Sequence, residues 1–172
     1  LRKNAAGSKS ENPTLWLHLT LSNHHFKNAL GQFEKNMSAF HFAFKVRDIE
    51  STRKFYVTIL GCREGRSTET WIDFDFFGNQ LSAHVSNNFP DLDFCGKVDG
   101  ISVPIPHFGC LLDNDEFDRI KQKLESEKVE FVIKPQTRYA GKVGEQLTMF
   151  VFDYSGNPLE FKSFKNEGDV FL

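Results

Sequence analysis

The stretch Asp153-Tyr154-Ser155-Gly156-Asn157-Pro158-Leu159-Glu160-Phe161 joins a tight turn to a strand that carries one carboxylate among apolar residues. Ser-Gly-Asn-Pro is turn chemistry: Gly156 and Asn157 tolerate positive φ, and Pro158 donates no ladder hydrogen bond. Beyond it, Leu159, Phe161 and Ser163 share one strand face, and Glu160, Lys162 and Phe164 share the other. A glutamate so placed needs a cation. The plain choice is an ammonium from Lys45 or Lys162, as a salt bridge. The chemical choice is a metal, with His41 and His107 as two further ligands.

Both histidines open strands that begin equivalent stretches of chain. Phe40, Phe42, Phe44 and Val46 alternate with His41, Ala43 and Lys45. Asp48 then caps a helix whose stripe is Phe55, Tyr56, Ile59 and Leu60, stopped by Gly61. Strands follow at 63–67, 71–76 and 80–86, with Gly78-Asn79 turning between the last two. Residues 87–106, rich in Pro, Gly, Asp and Asn, read as a long connection, and loops of such length are more often functional or linking than incidental. The pattern then restarts: a strand from His107, a helix capped by Asp113 or Asn114 with Phe117, Ile120 and Leu124 on its stripe, and strands near 130–134, 146–152 and 159–164. Residues 135–145 read as a flexible loop. The chain therefore holds two copies of strand–helix–strand–strand–strand, an α+β architecture with an internal repeat.

Composition narrows the function classes. A net charge of −2 with both signs scattered gives no nucleic-acid or membrane-surface footprint. The 19 phenylalanines favour a β-rich core. Cys62, Cys95 and Cys110 are odd in number and lack zinc-type spacing, which is read as reduced thiols in an intracellular protein, cytoplasmic or organellar. No apolar run approaches the ~18 residues of a membrane span. Residues 1–38 differ from the rest and read as an extension, partly disordered or processed, with Arg2, Lys3, Ser8, Lys9 and Ser10 as the tail of a targeting peptide. A short strand is expected through Leu15, Leu17, Leu19 and Leu21, and His18, His24 and His25 read as surface histidines.

The paired modules, the histidine opening each and the Gly-Asn-Pro-Leu-Glu near the end resemble the vicinal oxygen chelate superfamily, which includes glyoxalase I, extradiol dioxygenases and the bleomycin- and fosfomycin-resistance proteins. Phe40-His41-Phe42-Ala43-Phe44, residues 70–78, residues 103–109 and Gly144-Glu145-Gln146 are similar to small extradiol-dioxygenase-like members. The resemblance covers about 39–165 and implies one domain: module one at 39–87, a linker at 88–106, module two at 107–165, and a tail at 166–172. It implies two βαβββ modules forming a cup-shaped mixed sheet with helices outside and one divalent metal in the cup. Carried over by motif, His41, His107 and Glu160 are the ligands. Two imidazoles and a carboxylate on one face of an ion leave the other face open, which suits Fe(II); Zn, Ni, Co or Mn are the alternatives. Aligning the two turns puts Ser82 opposite Glu160, where glyoxalase I has a carboxylate, and His84 two residues further on. His84 is expected as the acid–base group, or as a fourth ligand should a bulge shift the register. Arg138, Tyr139, Gln146 and Thr148 are expected to line the cup as substrate-binding residues.

Three functions follow from the resemblance. The first is a non-haem Fe(II) dioxygenase acting with dioxygen on a small vicinal diol or enediolate. The second is a glyoxalase-like isomerase or lyase, in which Asp73 or Asp75 replaces the carboxylate missing at Ser82. The third is a metal-free module that binds a small ligand. Pairing into homodimers is carried by the resemblance as well.

Overall fold

The computed structural model describes residues 38–98 and 100–172. The strand expected among Leu15 to Leu21, the histidines His18, His24 and His25, and the expected extension up to residue 37 lie outside the described residues.

Module one begins with β1 (His41–Val46), whose Phe44 and Val46 are buried while His41, Ala43 and Lys45 are exposed. Asp48 caps the helix that follows, accepting from the Ser51 amide and hydroxyl at 2.7 Å each. The helix is α1 (Ile49–Arg53) for little more than a turn, then widens into a π-helical segment (Lys54–Ile59). There the Leu60 amide donates to the Phe55 carbonyl, five residues back. The sequence pattern anticipates the stripe of Phe55, Tyr56, Ile59 and Leu60, all buried, but not the widening that lets neighbouring Phe55 and Tyr56 both point inward. Gly61 ends the helix with φ +81°.

Strands β2 (Arg63–Ser67), β3 (Trp71–Phe76) and β4 (Asn79–Val85) complete the module, and β1 pairs in parallel with β4 to give the order β1-β4-β3-β2. The β3–β4 turn is centred one residue earlier than the sequence suggests. Phe77 and Gly78 take φ +50° and +82°, and Asn79 already belongs to the strand. Its side-chain amide braces the turn by donating to the Phe77 carbonyl at 3.3 Å. Module two repeats the plan with β7 (Phe108–Leu111), α2 (Asn114–Ser126), β8 (Phe131–Arg138), β9 (Gln146–Phe152) and β10 (Pro158–Phe164), ordered β7-β10-β9-β8 with β7 parallel to β10. Asp113 is the cap of α2. A short 3-10 turn, Glu167–Phe171, closes the chain.

Two sequence expectations need correction. The connection 88–106 is not simply a loop: it contains a hairpin, β5 (Asp93–Val98) and β6 (Ile101–Ile105). Gly and Pro punctuate it too densely for a strand pattern to show. Likewise β8 runs on to Arg138 instead of stopping at Lys134. Pro135 sits where the ladder with β9 shifts register, between Ile133 and Gln136, and no ladder donor is needed there.

The helix-side faces of the two four-stranded sheets share one core. Phe42 and Phe44 of β1 approach Phe108 of β7 at 5.1 and 5.2 Å between ring centres, and Phe76 approaches Phe161 at 6.3 Å. Phe117, Ile120 and Leu124 of α2 join the same cluster. Each fully buried aromatic contributes roughly 1.5–3 kcal/mol of apolar transfer. The turn at 153–157 fastens the seam. The Tyr56 hydroxyl donates to Asp153 at 3.1 Å, the Arg47 amide to Ser155 Oγ at 2.9 Å, and Asn157 Nδ2 to the Lys45 carbonyl at 2.9 Å. Burial pushes the Tyr56 phenol well up and raises the Asp153 carboxyl as well. Packing the helix-side faces together leaves each module's polar face pointing away from the shared core.

Candidate metal centre

Module two positions the carboxylate. On β10 the alternation buries Leu159 and Phe161 in the core and turns Glu160 to the polar face, where it is only 6% exposed. Strand β7 runs so close beside it that a Cβ on Gly109 would fall on the Glu160 carbonyl oxygen. The β5–β6 hairpin covers this face: Val103 packs on Ile133 and Phe150, and Phe150 is the cross-strand partner of Glu160.

Four groups fix the His107–Glu160 pair. Thr148 Oγ1 donates to Glu160 Oε1 at 2.7 Å. His107 Nε2 lies 3.2 Å and Lys162 Nζ 3.1 Å from Oε2. His107 Nδ1 lies 2.7 Å from the Pro104 carbonyl of the hairpin, so that nitrogen carries the hydrogen, and the ring stands edge-on to Phe150 at 5.0 Å. The bond to Glu160 raises the His107 pKa against the effect of burial. Burial works against ionising Glu160, but His107, Thr148 and Lys162 outweigh it and hold the carboxyl below its ordinary value.

This arrangement fits a metal ion. In the metal-free chain Nε2 donates its hydrogen to Glu160; because Nδ1 is bonded to a carbonyl, loss of that Nε2 proton leaves the tautomer a ligating imidazole needs. Two ligand atoms about 2.1 Å from one ion lie about 3.0–3.4 Å apart for right-angled to tetrahedral geometry, and the pair is 3.2 Å apart. Thr148 orients the carboxylate as an outer partner does around a metal.

The third expected ligand is elsewhere. His41 is exposed on the polar face of module one, its Nδ1 3.0 Å from Gln80 Oε1. No group of three His, Cys, Asp or Glu side chains able to hold a metal occurs among the described residues. The chain thus brings His107 and Glu160 together but not His41. Within a single chain the three expected ligands do not form one cluster among the described residues.

His84 is also on the module-one face, exposed and 6.5 Å from the Trp71 ring centre. Since Gln80 pairs with His41, His84 lies four residues along, roughly 13 Å away. No bulge interrupts the β3–β4 ladder there, so register does not bring His84 to the ligands. Asp73 is opposite Ser82, is buried, and accepts from the Ser82 hydroxyl at 2.5 Å and from Arg66 at 3.2 Å. Asp75 is bound by Arg63 at the surface. Thr148, Gln146 and Arg138 are buried on the polar face of module two, while Tyr139 is exposed at φ +55°. The salt bridge to Lys162 that the sequence offered for Glu160 is present, at 3.1 Å; sequence reading missed the Pro104 carbonyl, which no side-chain pattern announces.

Two hollows flank His107. A groove of about 200 Å³ runs along His107, Gly109, Glu160 and Lys162. A larger cavity of about 480 Å³, within the range of small-molecule sites, is walled by Phe42, Phe44, Phe89, Phe108 and Arg47. Cys62 and Cys110 are no nucleophiles at neutral pH: burial pushes their thiols up to about 12 and about 11.

The family model of the Glyoxalase/Bleomycin resistance protein/Dioxygenase superfamily matches residues 38–161. The chain belongs to this superfamily. A glyoxalase/bleomycin resistance protein/dioxygenase from Alicyclobacillus acidocaldarius is similar at 29% identity, over 81% of this chain and 100% of that one, with a TM-score of 0.66. The fosfomycin resistance protein FosX from Listeria monocytogenes shares the fold at 15% identity (77% and 96% covered, TM-score 0.59), as does a glyoxalase/dioxygenase from Nostoc punctiforme at 21% (77% and 94%, TM-score 0.56). No match was found among curated proteins. Members of the superfamily typically bind a divalent metal and small-molecule substrates, and are often enzymes and often dimers. Among the described residues no helix is long and apolar enough to cross a membrane.

Proposed function

We propose that the protein is a divalent-metal enzyme acting on a small vicinal-diol or enediolate substrate, with Fe(II) and dioxygen the favoured chemistry. The observation that carries this reading is the His107–Glu160 pair, with ligand atoms 3.2 Å apart and both outer atoms held, by Pro104 and Thr148. When bound, Fe(II) would supply a Lewis acid that lowers the pKa of chelated hydroxyls and a place for dioxygen.

The third ligand in this reading is His41 of a second copy. Strands β1 and β7 are both sheet edges with one neighbour each, and His41 stands exposed on β1. A two-fold dimer setting β1 of one copy beside β7 of the other brings each His41 to the other's His107 and Glu160, an isologous contact that also covers both edges. Lys162 yields its place on Glu160 Oε2 to the ion and, a third exposed, swings to solvent. Gln80 is then the polar group next to His41, and His84 serves a hydroxyl at the far wall of the half-cup.

A second reading, a lyase or isomerase using Zn, Ni, Co or Mn, is favoured by one observation. Asp73 places a buried carboxylate opposite Ser82, the position without one in the repeat.

Metal content after anaerobic purification and Fe(II) reconstitution tests the proposal. Wild type should hold one iron per chain and take up dioxygen with a catechol panel. H41A and H107A should each hold none, and their mixture, refolded together, should regain metal in the mixed dimers, because one of the two shared sites is intact. Metal in wild type that the mixture fails to regain would refute sharing between copies. Tight zinc or nickel without dioxygen uptake would move the reading to the lyase or isomerase, and no metal at all would overturn both.

A further inference from the structure

The polar face of module two buries a cation that the metal pair does not use. Arg138, the last residue of β8, is 5% exposed, yet its Nε and Nη2 have no hydrogen-bond partner among the described residues. Among the described residues, Arg53, Arg63, Arg66 and Arg119 each meet a carboxylate, and Arg47 lies 4.8 Å over the Phe89 ring. Arg138 makes no such ion pair among the described residues. A buried guanidinium without a counter-charge is costly, because it has lost water and gained nothing in exchange.

Its surroundings are unsatisfied in the same way. Gln146 faces Arg138 across the β8–β9 ladder, and its Oε1 has no partner; Gln136, two residues back on β8, has an unpartnered Nε2. The unpaired groups are mainly donors, and turning the Gln146 amide over adds another. Nε and Nη2 form one edge of the guanidinium fork, the edge that matches two oxygens of a carboxylate or of a phosphoryl group.

We propose that Arg138, with Gln136 and Gln146, is an oxyanion-binding subsite in the cup of module two. The ligand group is a carboxylate, phosphonate or phosphate, entering beside the exposed turn at Tyr139. Gln136 pairs with Thr148, whose hydroxyl holds Glu160, so the backbone of Arg138 is two residues, roughly 7 Å, along the strand from the position facing that contact. A small organic acid can span this interval. Assigning the oxyanion to the substrate rests on the metal-enzyme reading. The subsite itself rests on Arg138 alone.

Thermal unfolding of the metal-free full chain tests it, with inorganic phosphate, methylphosphonate and acetate titrated at constant ionic strength. Wild type should show a saturable rise in Tm with at least one anion. Response to acetate alone assigns a carboxylate, and response to the other two a tetrahedral group. R138M should lose the response and, without anion, melt no lower than wild type, since it removes an unpaired buried charge. Q146E supplies an internal carboxylate opposite Arg138 and should raise Tm while abolishing the response, which covers the case of an unfolded R138M. Equal responses in wild type and the variants, or none in wild type, would overturn the subsite. Fe(II) uptake by R138M, expected to be unchanged, separates the two readings: a chain that takes up no metal but keeps the Arg138-dependent response overturns the metal reading and supports this one.

Discussion

Replacing Thr148 by valine removes one hydroxyl and keeps the shape of a side chain with no solvent exposure. Two effects follow from the geometry. The lost bond is 2.7 Å long to a carboxylate that is 6% exposed, and hydrogen bonds to charged groups contribute roughly 1.5–3 kcal/mol. No water replaces the hydroxyl at a fully enclosed position, so the loss should fall near the upper part of that range in the metal-free chain. For a domain of this size that is a fall in Tm of roughly 4–10 °C. The carboxylate then turns more freely about its last torsion, and metal affinity should fall about 10- to 100-fold, the usual effect of removing an outer partner. The assay is urea unfolding at pH 7 with and without Fe(II), for T148V, E160Q and the double variant. A coupling energy above about 1 kcal/mol between the two positions is expected. A T148V chain within about 0.5 kcal/mol of wild type, with unchanged metal affinity, would refute the view that Thr148 holds Glu160 in place.

Two further outcomes are expected. The His107 pKa is raised by folding, so its stabilisation of the metal-free chain is complete below the unfolded value of about 6.5 and is lost as pH rises through the folded value. That of Glu160 is lowered, so its contribution is complete above about 4.3 and is lost as pH falls through the folded value. The stability difference between wild type and H107Q, followed by urea unfolding in chelator, should therefore be largest between about pH 4.5 and 6.5 and shrink towards pH 9; a difference that grows towards pH 9 would contradict the pairing. G109A should destabilise the chain by several kcal/mol, because the new methyl meets the backbone of Glu160 and not a yielding side chain; hydrogen exchange at Phe161 and Lys162, faster in the variant than in wild type, would locate the damage to the β7–β10 pairing.

The architecture was legible because the repeat and the alternation are local facts. Alternating Phe and non-Phe residues along β1, the Asp48 cap and the Gly61 stop all express preferences of neighbouring residues, and the structure follows them. The face that Glu160 takes was legible for the same reason, since alternation alone assigns it. What was hidden depends on contacts between distant parts of the chain. The hairpin within 88–106 is held against Phe150 and Ile133, from a sheet formed later in the sequence. The separation of His41 from His107 depends on which faces the two modules turn to each other, and a periodicity describes only the faces of one strand. Strand β8 continues past Pro135 because its partner β9 tolerates a shift there, again a property of the pair.

The carbonyl of Pro104 has a consequence for how freely this centre can be moved. Residues 107–164 carry the carboxylate and its threonine, but the atom that sets the orientation of the imidazole belongs to the segment joining the modules. Grafted alone into another scaffold, the second module would keep a serviceable Glu160 and a His107 free to spin and exchange tautomers. The smallest portable unit starts at the hairpin, near residue 93. In a chain made of two like halves, the intervening strap is the part that cannot be swapped for any other linker.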